Sequence, residues 1–111
     1  MQVEMLGPEL ANAIDELKRR VRKTFPRAEF ILFGSAARGE LGQESDVDIL
    51  VILANRPTSQ DREAIVREVF EVNLRYGANI SVLVVGRKDW DEGPLSVMPL
   101  KREVTREGVP L

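Results

Sequence analysis

The chain has 111 residues, 43% hydrophobic and 31% charged, a globular balance rather than a disordered one. Sixteen Lys and Arg against eighteen Asp and Glu leave a net charge of −2, which argues against a domain held to its partners by a broad basic surface. Cysteine and histidine are both absent, which excludes disulfides, thiolate zinc sites, cysteine nucleophiles and the serine–histidine hydrolase design.

Catalysis in such a chain rests on carboxylates, hydroxyls, Lys or Arg, with a hard metal ion as the natural helper. The start, Met1-Gln2-Val3-Glu4, lacks a basic leader followed by an apolar stretch. The longest apolar run, Ile49 to Ala54, is too short to cross a bilayer. A cytoplasmic protein without membrane attachment is the expectation. No internal repeat, low-complexity tract or linker interrupts residues 1–111, which are expected to form a single domain.

The first periodic stretch follows Gly7-Pro8, with Leu10, Ile14, Leu17 and Val21 spaced by four, three and four. That spacing predicts an amphipathic helix ending before Pro26. Glu29 to Phe33 reads as a buried strand, halted at Gly34. Gly34 to Gly39 reads as a tight turn entering a short helix with Ala36 and Ala37. A glycine-bearing loop, Glu40 to Ser45, leads into a second strand from Asp46 to Leu53.

Arg56 to Ser59 is a loop, and Thr58 or Ser59 caps a long helix carrying Ile65, Val66, Val69, Phe70 and Leu74, ending at Gly77. Asn79 to Val85 is a third strand. Pro94 and Pro99 break the last quarter, where Leu100 to Glu107 forms a short helix stopped by Gly108. The order helix, strand, helix, strand, helix, strand, helix predicts an α/β or α+β fold, a small sheet flanked by helices.

The sharpest chemical feature is Gly34-Ser35, ten residues, then Asp46-Val47-Asp48. Carboxylates at i and i+2 of a strand share a face with Cα atoms ~6–7 Å apart, so their oxygens converge on one divalent ion or a close pair. Two-metal sites hold ions ~3.5–4 Å apart and clamp an in-line displacement at phosphorus. Oxygen-only ligands favour magnesium or manganese. Gly34 permits a sharp turn and close backbone approach to a ligand. Ser35 stands at a helix amino end, where unpaired N–H groups attract phosphate, and the forked donors of Arg38 reach the same phosphate. A bare Asp-x-Asp is a weak motif. Here, however, Asp48 precedes five apolar residues, where an uncompensated carboxylate is costly.

The run Phe33-Gly34-Ser35-Ala36-Ala37-Arg38-Gly39, followed by Ser45-Asp46-Val47-Asp48, resembles the signature of the nucleotidyltransferase superfamily that includes DNA polymerase beta. Within it the resemblance is to the minimal nucleotidyltransferases, small prokaryotic proteins often paired with a helical HEPN-domain protein in toxin–antitoxin modules. It covers residues 10–111, including the closing Arg106-Glu107-Gly108-Val109.

The resemblance implies a nucleotidyltransferase fold with a small mixed sheet. It also implies transfer of a nucleoside monophosphate from a nucleoside triphosphate, ATP by preference, to a hydroxyl. By the same analogy Asp46 and Asp48 hold magnesium or manganese and are the catalytic pair, and Gly34 and Ser35 contact the triphosphate with Arg38 assisting. Some relatives attach adenylate to a tyrosine of the HEPN toxin, so a HEPN-type partner or a second copy of the chain is expected to complete the acceptor site.

One departure favours a rival reading, a catalytically weakened module that binds partner or nucleotide. Relatives usually carry a third carboxylate on the strand beside the aspartates, and the aligned position holds Ser81. Asp89, Asp91 and Glu92 are the substitutes within reach in the following loop, and no spacing selects one.

Two further clusters have ordinary readings. Lys18, Arg19, Arg20, Arg22, Lys23 and Arg27 flank the apolar stripe of the first helix as solvated residues should, with nucleic-acid contact the lesser alternative. Trp90, Pro94, Met98 and Leu100 are expected to close the core or, failing that, to form a partner surface. Asp61, Glu63, Glu68 and Glu71 of the long helix are expected to be solvated, with Asp61 favourable to the helix dipole.

Overall fold

A computed structural model describes residues 6–40 and 46–111. Helix α1 spans Pro8–Thr24. Proline suits its first turn, where the missing N–H has no intrahelical partner. The predicted stripe turns Ile14, Leu17 and Val21 inward beside Ala13, and the helix ends two residues before Pro26. Strand β1, Glu29–Phe33, matches its predicted bounds, and β2 covers Val47–Leu53. Residues 41–45 of the connecting loop, with Ser45, lie outside the described residues.

Helix α2, Ser59–Tyr76, begins with a reciprocal cap: the Thr58 hydroxyl accepts from the Asp61 N–H, and the Asp61 carboxylate accepts from the Thr58 N–H, both at 3.0 Å. It ends at Gly77 in the left-handed conformation. Strand β3 follows at Ile80–Gly86. Three short elements escaped the sequence pattern, one of them a 3₁₀ turn at Pro94–Val97. Helix α3, Arg87–Asp91, is a single turn or so, and β4, Val109–Pro110, follows helix α4, Pro99–Glu107.

The sheet runs β3-β2-β1-β4 and is mixed, with β2 and β3 parallel and the other pairs antiparallel. Both faces are covered over the middle of β2, which explains why that strand is apolar beyond Asp48. Alternation sends Phe30, Leu32, Ile49 and Val51 toward α1 and toward Ile65, Val69 and Val72 of α2. It sends Ile31, Phe33, Leu50 and Ile52 to the other face, against Trp90, Val104 and Leu100. Trp90 and Leu100 thus close a core, as expected of their cluster, whereas Pro94 and Met98 stay exposed.

Helix α2 departs from its predicted packing. Of its five expected apolar contacts only Ile65 and Val69 are buried, and Val66, Phe70 and Leu74 face outward.

The basic stretch of α1 is partly consumed inside the fold. Arg20 donates to Glu16 at 3.0 Å and to Glu68 at 3.1 Å, and Arg22 donates to the Ala28 carbonyl at 3.2 Å. Glu16 is buried between the two helices. Burial raises its pKa, but the Tyr76 hydroxyl, Arg20 and Arg75 outweigh that and hold it below the usual carboxylate range. Among the described residues no helix is long and apolar enough to cross a membrane.

Candidate active site

The turn after β1 and the start of β2 meet at one end of the sheet. Phe33, the last residue of β1, pairs with Asp48, so Gly34 leaves the strand directly over that carboxylate. Gly34 has φ +74, and a Cβ built on it would lie 2.6 Å from Asp48 Oδ2. Any side chain here is excluded twice, by backbone conformation and by the carboxylate. The residues after it form one 3₁₀ turn, Gly34–Ala36, rather than the longer helix expected through Ala37. Such a turn leaves its first N–H groups without partners inside it.

Asp46 and Asp48 lie on the same face of β2 as Leu50 and Ile52, the face away from α1 and α2. Asp46 is exposed, and its Oδ1 accepts a 2.6 Å hydrogen bond from Asn79 Nδ2 on the approach to β3. Asp48 is half-buried, and burial, the neighbouring Asp46 and Glu103 of α4 together push its carboxyl above the usual range. Crowded like charges of this kind are relieved by a cation. Magnesium commonly takes one or two protein carboxylates and completes its shell with water and substrate phosphates. Asp46 and Asp48 therefore fit a magnesium or manganese seat that a nucleotide would finish. No group of three or more acidic residues suited to a metal occurs among the described residues.

Register places Ser81 of β3 directly beside Asp48. The strand neighbouring the aspartates thus offers Asn79 and Ser81, a neutral amide and a hydroxyl. The three carboxylates considered as replacements are elsewhere. Asp89, Asp91 and Glu92 belong to the segment after β3, whose last residue, Gly86, pairs with Leu53 at the far end of β2. Arg56 grips Asp89 with two bonds of 3.0 and 2.9 Å and holds its carboxyl below the usual range. Asp91 is paired with Arg87 and Lys101.

Arg38 does not stand free for phosphate. Its Nε donates to Glu40 at 3.2 Å, and its Nη1 donates to Glu103 at 3.4 Å and Glu107 at 3.3 Å. These exposed pairs tie the turn to α4 and strengthen the guanidinium's hold on its proton, Glu40 first. Glu103, like Asn79, is a site residue that sequence reasoning missed. The only hint lay in its i, i+4 relation to Glu107, which puts both carboxylates on one side of α4.

A family model for the nucleotidyltransferase domain matches residues 14–106. The "Putative protein adenylyltransferase MJ1305" of Methanocaldococcus jannaschii is 42% identical over 84 residues, 72% of this chain and 57% of its own length. A second such protein from that organism, MJ0141, is 39% identical over 54 residues, 49% of this chain and 54% of its own. The alignments thus span just over half the length of these curated relatives. Among solved structures, a minimal nucleotidyltransferase matches with a TM-score of 0.60 and 25% identity, covering 100% of this chain and 97% of its own. A toxin–antitoxin crystallised with AMP-PNP matches with a TM-score of 0.60 at 20% identity, over 89% of this chain and 69% of its own, a likeness of fold.

Proposed function

Because the chain belongs to the nucleotidyltransferase domain family, we propose that residues 1–111 form one nucleotidyltransferase domain that moves a nucleoside monophosphate, AMP by preference, from a metal-bound triphosphate to a hydroxyl. The observation that carries this reading is the contact between Gly34 and Asp48. The backbone of the turn and the carboxylate share one site because nothing larger than hydrogen fits between Gly34 and Asp48.

In this reading the N–H groups that begin the Gly34–Ala36 turn and the Ser35 hydroxyl hold the triphosphate. Asp46 and Asp48 hold magnesium or manganese, which supplies charge neutralisation at the phosphates when bound. Asn79 fixes the Asp46 carboxylate through one oxygen, and no other described residue bonds to it. Arg38 swings from Glu103 and Glu107 to the phosphates as nucleotide arrives. The acceptor oxygen bonds to the α-phosphorus, the bond to the bridging oxygen breaks, and pyrophosphate leaves with the pair. The acceptor proton passes to solvent water at the exposed end of the site as that bond forms.

The acceptor is proposed to be a protein hydroxyl on a helical HEPN-type partner. The adenylyltransferase relatives and the toxin–antitoxin of like fold support that choice. A cytoplasmic setting accords with it. A second reading, a module that binds nucleotide or partner without turnover, draws on Ser81. A serine beside Asp48 neither holds metal charge nor accepts the acceptor's proton near neutral pH.

Calorimetric titration of ATP with manganese into wild type and an Asp46→Asn/Asp48→Asn variant tests the site. Metal-dependent binding is expected in the wild type and should weaken by at least about tenfold in the variant. Equal affinities would overturn the assignment. Binding without release of pyrophosphate in the presence of partner would favour the second reading.

A further inference from the structure

The outward face of α2 carries three of the six exposed large hydrophobic side chains among the described residues, and the site leaves it unused. Val66, Phe70 and Leu74 are 56%, 59% and 66% exposed and stand one turn apart. They form a row about 12 Å long on a helix whose opposite side is already buried against α1 and the sheet. The neighbouring row reads Glu63, Arg67, Glu71, Arg75, alternately acidic and basic, and all four side chains are exposed. Arg75, also 3.6 Å from Glu16, remains 64% exposed.

We propose that this chain pairs with a second copy of itself through α2, the two helices antiparallel across a two-fold axis level with Val69. In such a pair the same side of each helix meets, with chain direction reversed. Arg67 then lies opposite Glu71 of the second copy, and Glu63 opposite its Arg75. Each contact occurs twice. Val66 falls between Phe70 and Leu74 of the other helix, so the apolar rows interlock instead of colliding. In a parallel pair this row would instead meet the opposite flank of the second helix, where Arg62, Val69 and Asn73 lie, and its alternating charges would find no alternating partner. The alternation of sign therefore specifies antiparallel self-pairing, and the single aromatic side chain sits next to the axis, where interface aromatics contribute most.

Position on the sheet allows this association without blocking the nucleotide site. Helix α2 covers one face, and Asp46 and Asp48 open on the other. The inference is independent of the proposed transfer reaction. A stripe of three apolar side chains is small, so the dimer is expected to be weak, with a dissociation constant of about 1–100 µM.

Sedimentation velocity of the 111-residue chain across that range, with light scattering, tests the pair. The wild type should convert from monomer to dimer with concentration. Phe70→Glu should weaken association by at least about tenfold. Arg67→Glu and Glu71→Arg should each weaken it similarly by setting like charges across the axis. The double variant Arg67→Glu/Glu71→Arg should recover wild-type association to within about threefold. All three substituted positions are exposed, and circular dichroism checks that the helix survives. The pairing is overturned by a wild type that stays monomeric throughout, including one that engages a different protein through Phe70. It is equally overturned by a dimer indifferent to Phe70→Glu, or by a double variant that fails to recover.

Discussion

Asp48 is held where an ionised carboxylate is least comfortable. Burial, Asp46 and Glu103 all raise its pKa, so at neutral pH its charge costs the fold stability. That cost is fully present above the raised pKa and disappears as pH falls through it. Asp89 behaves oppositely. Arg56 lowers its pKa, and the stability this pair contributes is present at neutral pH and lost on acidification. Asp48→Asn is therefore expected to melt at a higher temperature than wild type at pH 7, with the gap closing near pH ~3, where both side chains are neutral. Thermal melts of the metal-free proteins across that range check it. A variant less stable at neutral pH would mean that Asp48 contributes packing or hydrogen bonds that outweigh its charge. Strain of this kind belongs to sites kept for chemistry rather than stability. Its signal was legible in the sequence as a carboxylate abutting five apolar residues. The contributions of Glu103 and Asn79 were not, because each comes from an element distant in sequence and neither forms a motif.

Element boundaries were the most readable level. The α1 stripe, the strand from Glu29 to Phe33 and the cap at Thr58 depend on neighbours a few residues away, and local chemistry decides them. Strand β3 shows what local chemistry leaves out. It is an edge strand, and its outward backbone is shielded by α2: Asn73 donates to the Ile80 carbonyl at 3.0 Å and accepts from the Ile80 N–H at 2.9 Å. Arg62 donates to the Val84 carbonyl at 2.6 Å. Helix side chains thereby occupy positions that an added strand would use. Asn73→Ala should cost about 1–3 kcal/mol, since it strands two partly buried backbone groups, and denaturant unfolding would measure the loss. A change below about 0.5 kcal/mol would show that water replaces the amide without penalty. The failure at α2 is instructive as well. Periodicity marked five apolar positions but could not tell which face meets the sheet, because Ile65, Val69 and Val72 form a second stripe beside Val66, Phe70 and Leu74.

At the scale of the molecule, the fold works by giving the sheet two unlike faces. One is filled by α1 and α2. The other is closed only in part, by Trp90, Leu100 and Val104, and the uncovered end exposes the aspartates. The chain closes through Gly108, where a Cβ would lie 2.5 Å from the Val104 carbonyl and 2.8 Å from Ile31 Cγ2. That tight exit lets β4 add to β1 directly after α4, anchoring the helix that carries Glu103 and Glu107. Gly108→Ala is expected to destabilise the protein by about 1–3 kcal/mol through overpacking, and to loosen α4 against Arg38. Chemical denaturation and amide exchange in α4 would report both, and an unperturbed melt would place the crossing elsewhere.

The sequence by itself determined the long helices, the three main strands, the carboxylate pair on one strand face and a glycine turn after the first strand. Each follows from residue type and a spacing of 2.0 or 3.6 residues, which backbone geometry imposes locally. Tertiary structure alone decided that Gly34 closes on Asp48, that Ser81 stands beside it, that Arg38 is held by α4, and that half the apolar surface of α2 is left outside. Those depend on strand register and on which faces meet. Register and docking are set by the summed packing of the whole chain, which no window of sequence contains.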